Sequence, residues 1–371
     1  MMRKRNTLRL IAVAIGALVA APIQAEAQDW QAGAGADWQK VMAAARKEGK
    51  AVLAADNAVL VDALSKGFER DTGIKLEVLT GTPNDLSARL TREAKAGQLT
   101  IDVSTGGGTE LITLYPERLL TPVKPQLILP GVTDPKNWVG GKIKWMDPEG
   151  QYLLQPTEYV SGKPVVNTDM IKPGSLANWK DLLKPEFKGK IAAYDPRPGG
   201  PGQALATYLA HEFGIEFVKQ LYSGQAVTYT RDGRQLVEWA VRGTHPIVLA
   251  AVQTNIEYFR KEGFKNIATI AMADGPGNVL GGFGVLKQAK GVPHPNAAQV
   301  FINWYASKPG QEVYSKVMLE PSRRTDVKVP EVPDYVIPVP GMKYLDAYDP
   351  EFYVKTRPKI QEQLIEALGG R

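Results

Sequence analysis

Apolar positions along the chain fall into two alternating rhythms. Trp38, Val41, Met42 and Ala45 stand at i, i+3, i+4 and i+7, which places one apolar stripe on a helix that Gly49 ends. Residues 51–55 form a short apolar run, 59–71 read as a helix stopped by Gly73, 74–79 as a strand, 84–95 as a helix and 101–104 as a strand. Strands separated by helices of such length describe βαβ units and a parallel sheet covered on both faces.

The same grammar restarts after a Pro/Gly-rich middle at 122–150: strand 190–194, helix 202–213, strand 226–230, helix 235–241 and strand 247–251. Two further strand-like stretches, 152–159 and 281–286, flank this second α/β unit. If the chain crosses between two lobes at both, the lobes are discontinuous in sequence and the cleft between them opens at a hinge.

The N-terminus changes the picture of where the chain works. Arg3, Lys4, Arg5 and Arg9 precede the apolar run 10–21 and then Ala25-Glu26-Ala27, the order of a cleaved secretory signal. The run is shorter than the roughly 20 residues a membrane span needs, so residues 1–27 read as a signal peptide and the mature chain as soluble, beginning near Gln28. There is no cysteine, which excludes a lipid anchor, disulfides and thiolate chemistry. A secreted chain with no anchor points to a periplasm. Of the formal charge of +6, the signal holds four basic residues and one acidic residue, leaving +3, too mild to argue for nucleic acid. The length after cleavage favours two domains.

Trp179-Lys180-Asp181-Leu182-Leu183, running into Pro185-Glu186-Phe187-Lys188-Gly189-Lys190-Ile191, resembles a stretch of the ferric-iron-type periplasmic solute-binding proteins. Asn296-Ala297-Ala298, Phe301-Ile302-Asn303-Trp304 and Ser307-Lys308-Pro309-Gly310-Gln311 are similar to a helix pair of the same family. The resemblance covers essentially the whole mature chain. It implies a type 2 binding-protein fold, α/β and two-lobed, with two parallel or mixed sheets and hinge crossovers. With that fold the expected division is 28–160 plus 275–315 for one lobe and 161–274 plus 316–371 for the other. It also implies a monomer, the membrane permease of an ABC importer as partner, and no catalysis and no cofactor.

Iron-binding members of that family hold the metal with adjacent tyrosines just after the strand that here is 247–251. The matching stretch reads Gln253-Thr254-Asn255-Ile256-Glu257-Tyr258, so Ile256 and Glu257 stand at the dyad. The family's histidine and carboxylate positions fall at Asp56-Asn57-Ala58 and Thr105-Gly106-Gly107-Gly108, with Asp56 a lone carboxylate. A hard trivalent ion finds too few anionic oxygens there, which leaves ferric iron as the alternative and no metal ligand assigned.

The expected ligand is a small anionic organic solute, a carboxylate, phosphate ester or phosphonate. Asp195-Pro196-Arg197-Pro198-Gly199-Gly200-Pro201-Gly202 joins a strand to a helix at the carboxyl end of a parallel sheet, where exposed amides and the helix dipole favour negative charge. Arg197, Gly199 and Gly200 are therefore candidates. Arg231, after the next strand, suits a bidentate contact to an oxyanion, against the alternative of an ion pair with Asp232. Thr254 and Asn255 supply neutral donors. Asn57, Gly107, Gly108 and Thr109 form the opposite wall, Tyr159 lies near the first crossover, and Arg323 lies near the chain's return.

Enzyme motifs are missing: no G-x-S-x-G, H-E-x-x-H or phosphate-loop pattern occurs, and His211, His245 and His294 lie away from the strand-to-helix turns. A hydrolytic site distributed along the chain leaves no local motif and stays an alternative, as does a docking module without a ligand.

Overall fold

The computed structural model describes residues 30–172 and 174–369, so the signal expected at 1–27 lies outside the described residues. The strands are β1 (Lys50–Ala55), β2 (Lys75–Thr80), β3 (Val103–Gly106), β4 (Lys144–Trp145), β5 (Leu154–Gln155), β6 (Tyr159–Ser161), β7 (Val165–Asn167), β8 (Ile191–Tyr194), β9 (Thr228–Thr230), β10 (Ile247–Leu249), β11 (Ile267–Thr269), β12 (Asn278–Leu280), β13 (Val285–Lys287) and β14 (Leu345–Asp346). The helices are α1 (Ala36–Glu48), α2 (Leu60–Thr72), α3 (Pro83–Ala96), α4 (Pro130–Thr133), α5 (Pro201–Phe213), α6 (Ile215–Lys219), α7 (Gly233–Arg242), α8 (Gln253–Lys261), α9 (Pro295–Ala306), α10 (Lys308–Met318) and α11 (Arg357–Leu368).

Two sheets build two lobes. The first has the order β2-β1-β3-β13-β5-β4, and the second β11-β7-β10-β8-β9. The apolar run at β1 exists because both faces of its sheet are buried. Leu53 and Ala55 point into a core with Phe68, Phe301 and Trp304. Val52 and Ala54 point the other way, toward Leu86, Leu90 and Met146. The second lobe repeats the device: Ile191 and Ala193 face Leu205, Leu209 and Val218, while Ala192 and Val248 face Leu236, Ala240 and Ile256. Parallel pairing of β8 with β9 and β10 brings the three following loops to one edge.

The stretch expected at 152–159 divides, and the one expected at 281–286 is mostly the connection between two strands. Pro156-Thr157-Glu158 separates β5 from β6, and Gly281 to Gly284 separates β12 from β13. The members β6 and β12 pair antiparallel in a third, small sheet of order β14-β12-β6. Sequence reasoning put 316–371 in the second lobe. In the structure Met318 joins the first-lobe core, and Arg324 donates to the Gly131 and Ala306 carbonyls of that lobe. Tyr335 touches the second lobe through Glu257 of α8, and after β14 the chain joins that lobe, where Ile360 and Leu364 enter its core.

A buried carboxylate ties the first lobe together. Asp102 accepts from the amides of Val52 (2.7 Å) and His294 (2.8 Å) and pairs with His294 Nδ1 at 2.9 Å. Asp102→Ala strands two amides, one of them fully inside. Equilibrium denaturant unfolding should show a loss of about 3 kcal/mol with an unchanged slope; a loss below ~1 kcal/mol would mean that water replaces the carboxylate.

Candidate functional site

The second-lobe wall forms where β8, β9 and β10 end. Helix α5 starts at Gly200 with no side-chain cap, so its first amides have no protein partner of that kind. Gly200 has φ 129°, a left-handed value that glycine adopts without strain. Asp195, 4% exposed, gathers both candidate arginines. Arg197 Nε and Nη2 donate to it at 2.8 and 3.1 Å, and Arg231 Nε at 3.1 Å. Burial opposes ionisation of Asp195, but the arginine hydrogen bonds outweigh it and hold the carboxyl below its usual range. The Arg197 guanidinium lies over the Tyr229 ring, 5.1 Å from its centroid, which fixes it in place. The expected alternative partner of Arg231, Asp232, instead caps α7 by accepting from the Arg234 and Gln235 amides. Asn255 faces this edge too, its Nδ2 packed against Gly233. Gly199 is exposed, and Thr254 is half-buried at the start of α8.

The first-lobe wall differs from expectation. Asn57 uses its side-chain oxygen on the Val59 amide at 3.1 Å, a local turn into α2. The Gly107 amide donates to Asp56 Oδ2 at 3.1 Å, and Gly107 O accepts from Lys287 Nζ at 3.0 Å. Gly108, expected as open backbone, is buried beneath Met146 and the Tyr353 ring, and Thr109 starts a single 3-10 turn rather than an α-helix. The Tyr348 hydroxyl closes over Gly107 and donates to the Gly282 carbonyl at 3.1 Å. The chain's own C-terminal segment therefore covers part of this wall. Arg323 is engaged by Glu158 and by the Val139 carbonyl, which withdraws it from the expected ligand set.

At the hinge lies a polar floor. Gly282, φ 55°, permits an approach no other residue allows, because a Cβ there would stand 2.6 Å from the Tyr159 ring and 2.7 Å from both Glu320 oxygens. Tyr159 is thus buried beside Glu320. Gln253, first residue of α8, reaches across from the second lobe to the Met318 carbonyl (3.0 Å) and Glu320 (3.3 Å), and Tyr314 donates to Glu320 at 2.9 Å. Burial pushes Glu320 up to about 8 and Asp56 up to about 7. The hydroxyls of Tyr159, Tyr305, Tyr314 and Tyr348 are raised well above their usual value, chiefly by burial and then by neighbouring acids or tyrosines. Sequence reasoning missed Glu320 and Gln253. The one local signal for Glu320 is an acid set in the apolar stretch Val317-Met318-Leu319 before Pro321.

The tyrosine-dyad region holds no metal-binding pair. Ile256 is core, Glu257 binds Arg260 and the Tyr335 hydroxyl, and Tyr258 is bonded to Arg234. Among the described residues no three of His, Cys, Asp and Glu stand together as a metal group. His211 pairs with Glu212, His245 packs on Trp239 and His294 is held by Asp102.

A sequence profile described as "Bacterial extracellular solute-binding protein" matches residues 63–336. An uncharacterized protein of Haemophilus influenzae is 29% identical over 139 residues, 36% of this chain, and the match spans only 38% of that relative's length. An Fe(3+)-binding periplasmic protein of Serratia marcescens is 25% identical over 289 residues, covering 73% of this chain and 77% of that one. The fold is similar to that of apo ferric ion-binding protein A of Pasteurella haemolytica, with TM-score 0.68 and 17% identity over 86% of this chain and 98% of that one. It is also similar to the periplasmic binding protein AfuA of Actinobacillus pleuropneumoniae with fructose 6-phosphate bound, with TM-score 0.64 and 20% identity over the same shares.

Proposed function

Because the chain belongs to the bacterial extracellular solute-binding protein family, we propose that it captures a small solute bearing an anionic group in the interlobe cleft and delivers it to the permease of an ABC importer, without catalysis. The observation that carries the anionic reading is the convergence of Arg197 and Arg231 on Asp195 beside the uncapped start of α5. Helix amides and guanidinium groups together form an oxyanion site, in which the fixed Arg197 guanidinium takes the ligand oxygen and Arg231, whose side chain is 66% exposed, stands at the rim. AfuA, a fold neighbour, holds a sugar phosphate. Other neighbours are named for ferric iron, but the engaged Glu257 and Tyr258 argue against that cargo here.

The test is a thermal melt of the mature chain against phosphate esters, phosphonates, carboxylates and ferric citrate, followed by solution scattering with the best hit. A ligand near 100 times its dissociation constant adds about 2.7 kcal/mol, a rise of roughly 5 °C or more. An oxyanion should give that rise with a smaller radius of gyration. A coloured ferric complex, or stabilisation by neutral solutes alone, would replace this reading.

A further inference from the structure

On the reading just proposed, we infer that the solute also carries an ammonium group, bound by Asp56 in the small pocket at the ends of β1 and β3 with Glu320 as a second negative charge behind it, so that the substrate class is an amine-bearing oxyanion.

The pocket is lined by Asp56, Thr105, Gly107, Glu110 and Lys287 among others, and has room for about one water-sized group, which suits the tip of a solute. Two of its lining oxygens, Asp56 Oδ1 and Thr105 Oγ1, are fully buried and have no hydrogen-bond partner. Thr105 is 2% exposed, so its hydroxyl is buried at the pocket wall. Ionised Asp56 Oδ1 requires a donor, and the Thr105 hydroxyl can accept from one too.

Charge decides which donor. Lys287 is the cation nearest Asp56, and its ammonium is already engaged by Glu110 (3.1 Å), the Gly107 carbonyl (3.0 Å) and the Val285 carbonyl (3.3 Å). An ammonium has three protons to donate, and those three acceptors use them. Lys287 favours the Asp56 charge but donates its protons elsewhere, Glu110 opposes it, and the groups acting on Glu320 include no cation. The groups facing Asp56 are Lys287 and Glu110; those facing Glu320 are Tyr314, Gln253 and Asp56. Tyr159 and Tyr348 also lie within reach of the Glu320 charge. A neutral hydroxyl would donate to Asp56 Oδ1 but do little to favour ionisation of the two buried acids; an ammonium supplies a donor and favours their ionised forms together.

The elevated ionisation of both acids gives the idea a second readout. Burial leaves Glu320 largely and Asp56 partly protonated near pH 7 when the pocket is empty, and a cation favours their ionised forms. Binding should then release protons, and affinity should rise with pH through about 7 to 8.

The experiment uses matched pairs, ω-aminoalkyl phosphates of two to four carbons against the ω-hydroxyalkyl phosphates of equal length, titrated calorimetrically at pH 6.5, 7.5 and 8.5 in buffers of different ionisation enthalpy. For at least one pair the amine should bind about 30-fold tighter at pH 8.5, with proton release, and Asp56→Asn should reduce that ratio of amine to hydroxy affinity at least about tenfold. If every hydroxy member binds as tightly as its amino partner, or Asp56→Asn spares the amine advantage, the ammonium inference fails and the proposed function stands. If plain alkylamines bind as tightly as aminoalkyl phosphates, the ammonium site stands and the anionic reading fails. If no member binds to a protein that melts cooperatively, both are wrong.

Discussion

Glu320→Gln should raise the melting temperature at pH 8 and leave it little changed near pH 5. Glu320 is fully inside, and burial raises its carboxyl from an ordinary value near 4.5 to about 8. Between those values the unfolded chain has lost the proton and the folded chain keeps it. The folded state therefore binds more protons, and the group's contribution to stability falls as pH rises from about 4.5, levelling off above about 8. The full cost is on the order of 4 kcal/mol. Asp56 adds a cost of the same sign that ends near pH 7. Tyr314 and Gln253 donate to different oxygens of Glu320; glutamine keeps one of them for Gln253, its amide nitrogen can donate to the Tyr314 hydroxyl, and it carries no charge. The measurement is the difference between wild-type and variant melting curves from pH 5 to 8.5, which cancels groups common to both. Parallel curves would show that the wild-type acid is ionised without penalty.

Arg197→Ala should weaken binding of the tightest phosphate-bearing ligand by about 30-fold to several thousand-fold, the loss of a hydrogen-bonded charge in a desolvated cleft. Arg231→Ala should cost under about 1 kcal/mol, because its side chain is largely in solvent. The two differ in preorganisation: Arg197 is held by two contacts to Asp195 and by the Tyr229 ring, whereas Arg231 makes one contact to Asp195. Arg197→Gln can still donate to Asp195, and so separates loss of ligand contact from damage to the loop. Calorimetric affinities for all three variants decide the matter. If each binds within a few-fold of wild type, the oxyanion does not sit at the start of α5.

The two α/β units were legible because burial on both faces writes continuous apolar runs, such as residues 51–55 and 247–251, and because Gly49, Gly73 and Gly243 stop helices where the backbone turns left-handed. The second-lobe loops were legible for the same local reason, since Gly199-Gly200-Pro201 announces a strand-to-helix turn. The floor was not. Asp56, Gln253, Glu320 and Tyr348 come from four distant segments and meet only through the crossovers, and no periodicity encodes such a meeting. Covering of Gly107 and Gly108 by Tyr348 and Tyr353 was hidden likewise, because the segment after residue 336, beyond the family match, has little regular pattern of its own.

The small sheet β14-β12-β6 has a mechanical consequence. Two crossing strands alone make a ribbon that twists easily along its length. Here β14 lies alongside β12 in parallel, Asn278 beside Leu345, and its chain continues through Phe352 into α11 on the second lobe. The joint is splinted: torsion between the lobes must shear an extra row of hydrogen bonds, while bending across the ribbon need not. Freedom of movement is thereby channelled into one direction, and the C-terminal segment acts as a bearing surface of the machine.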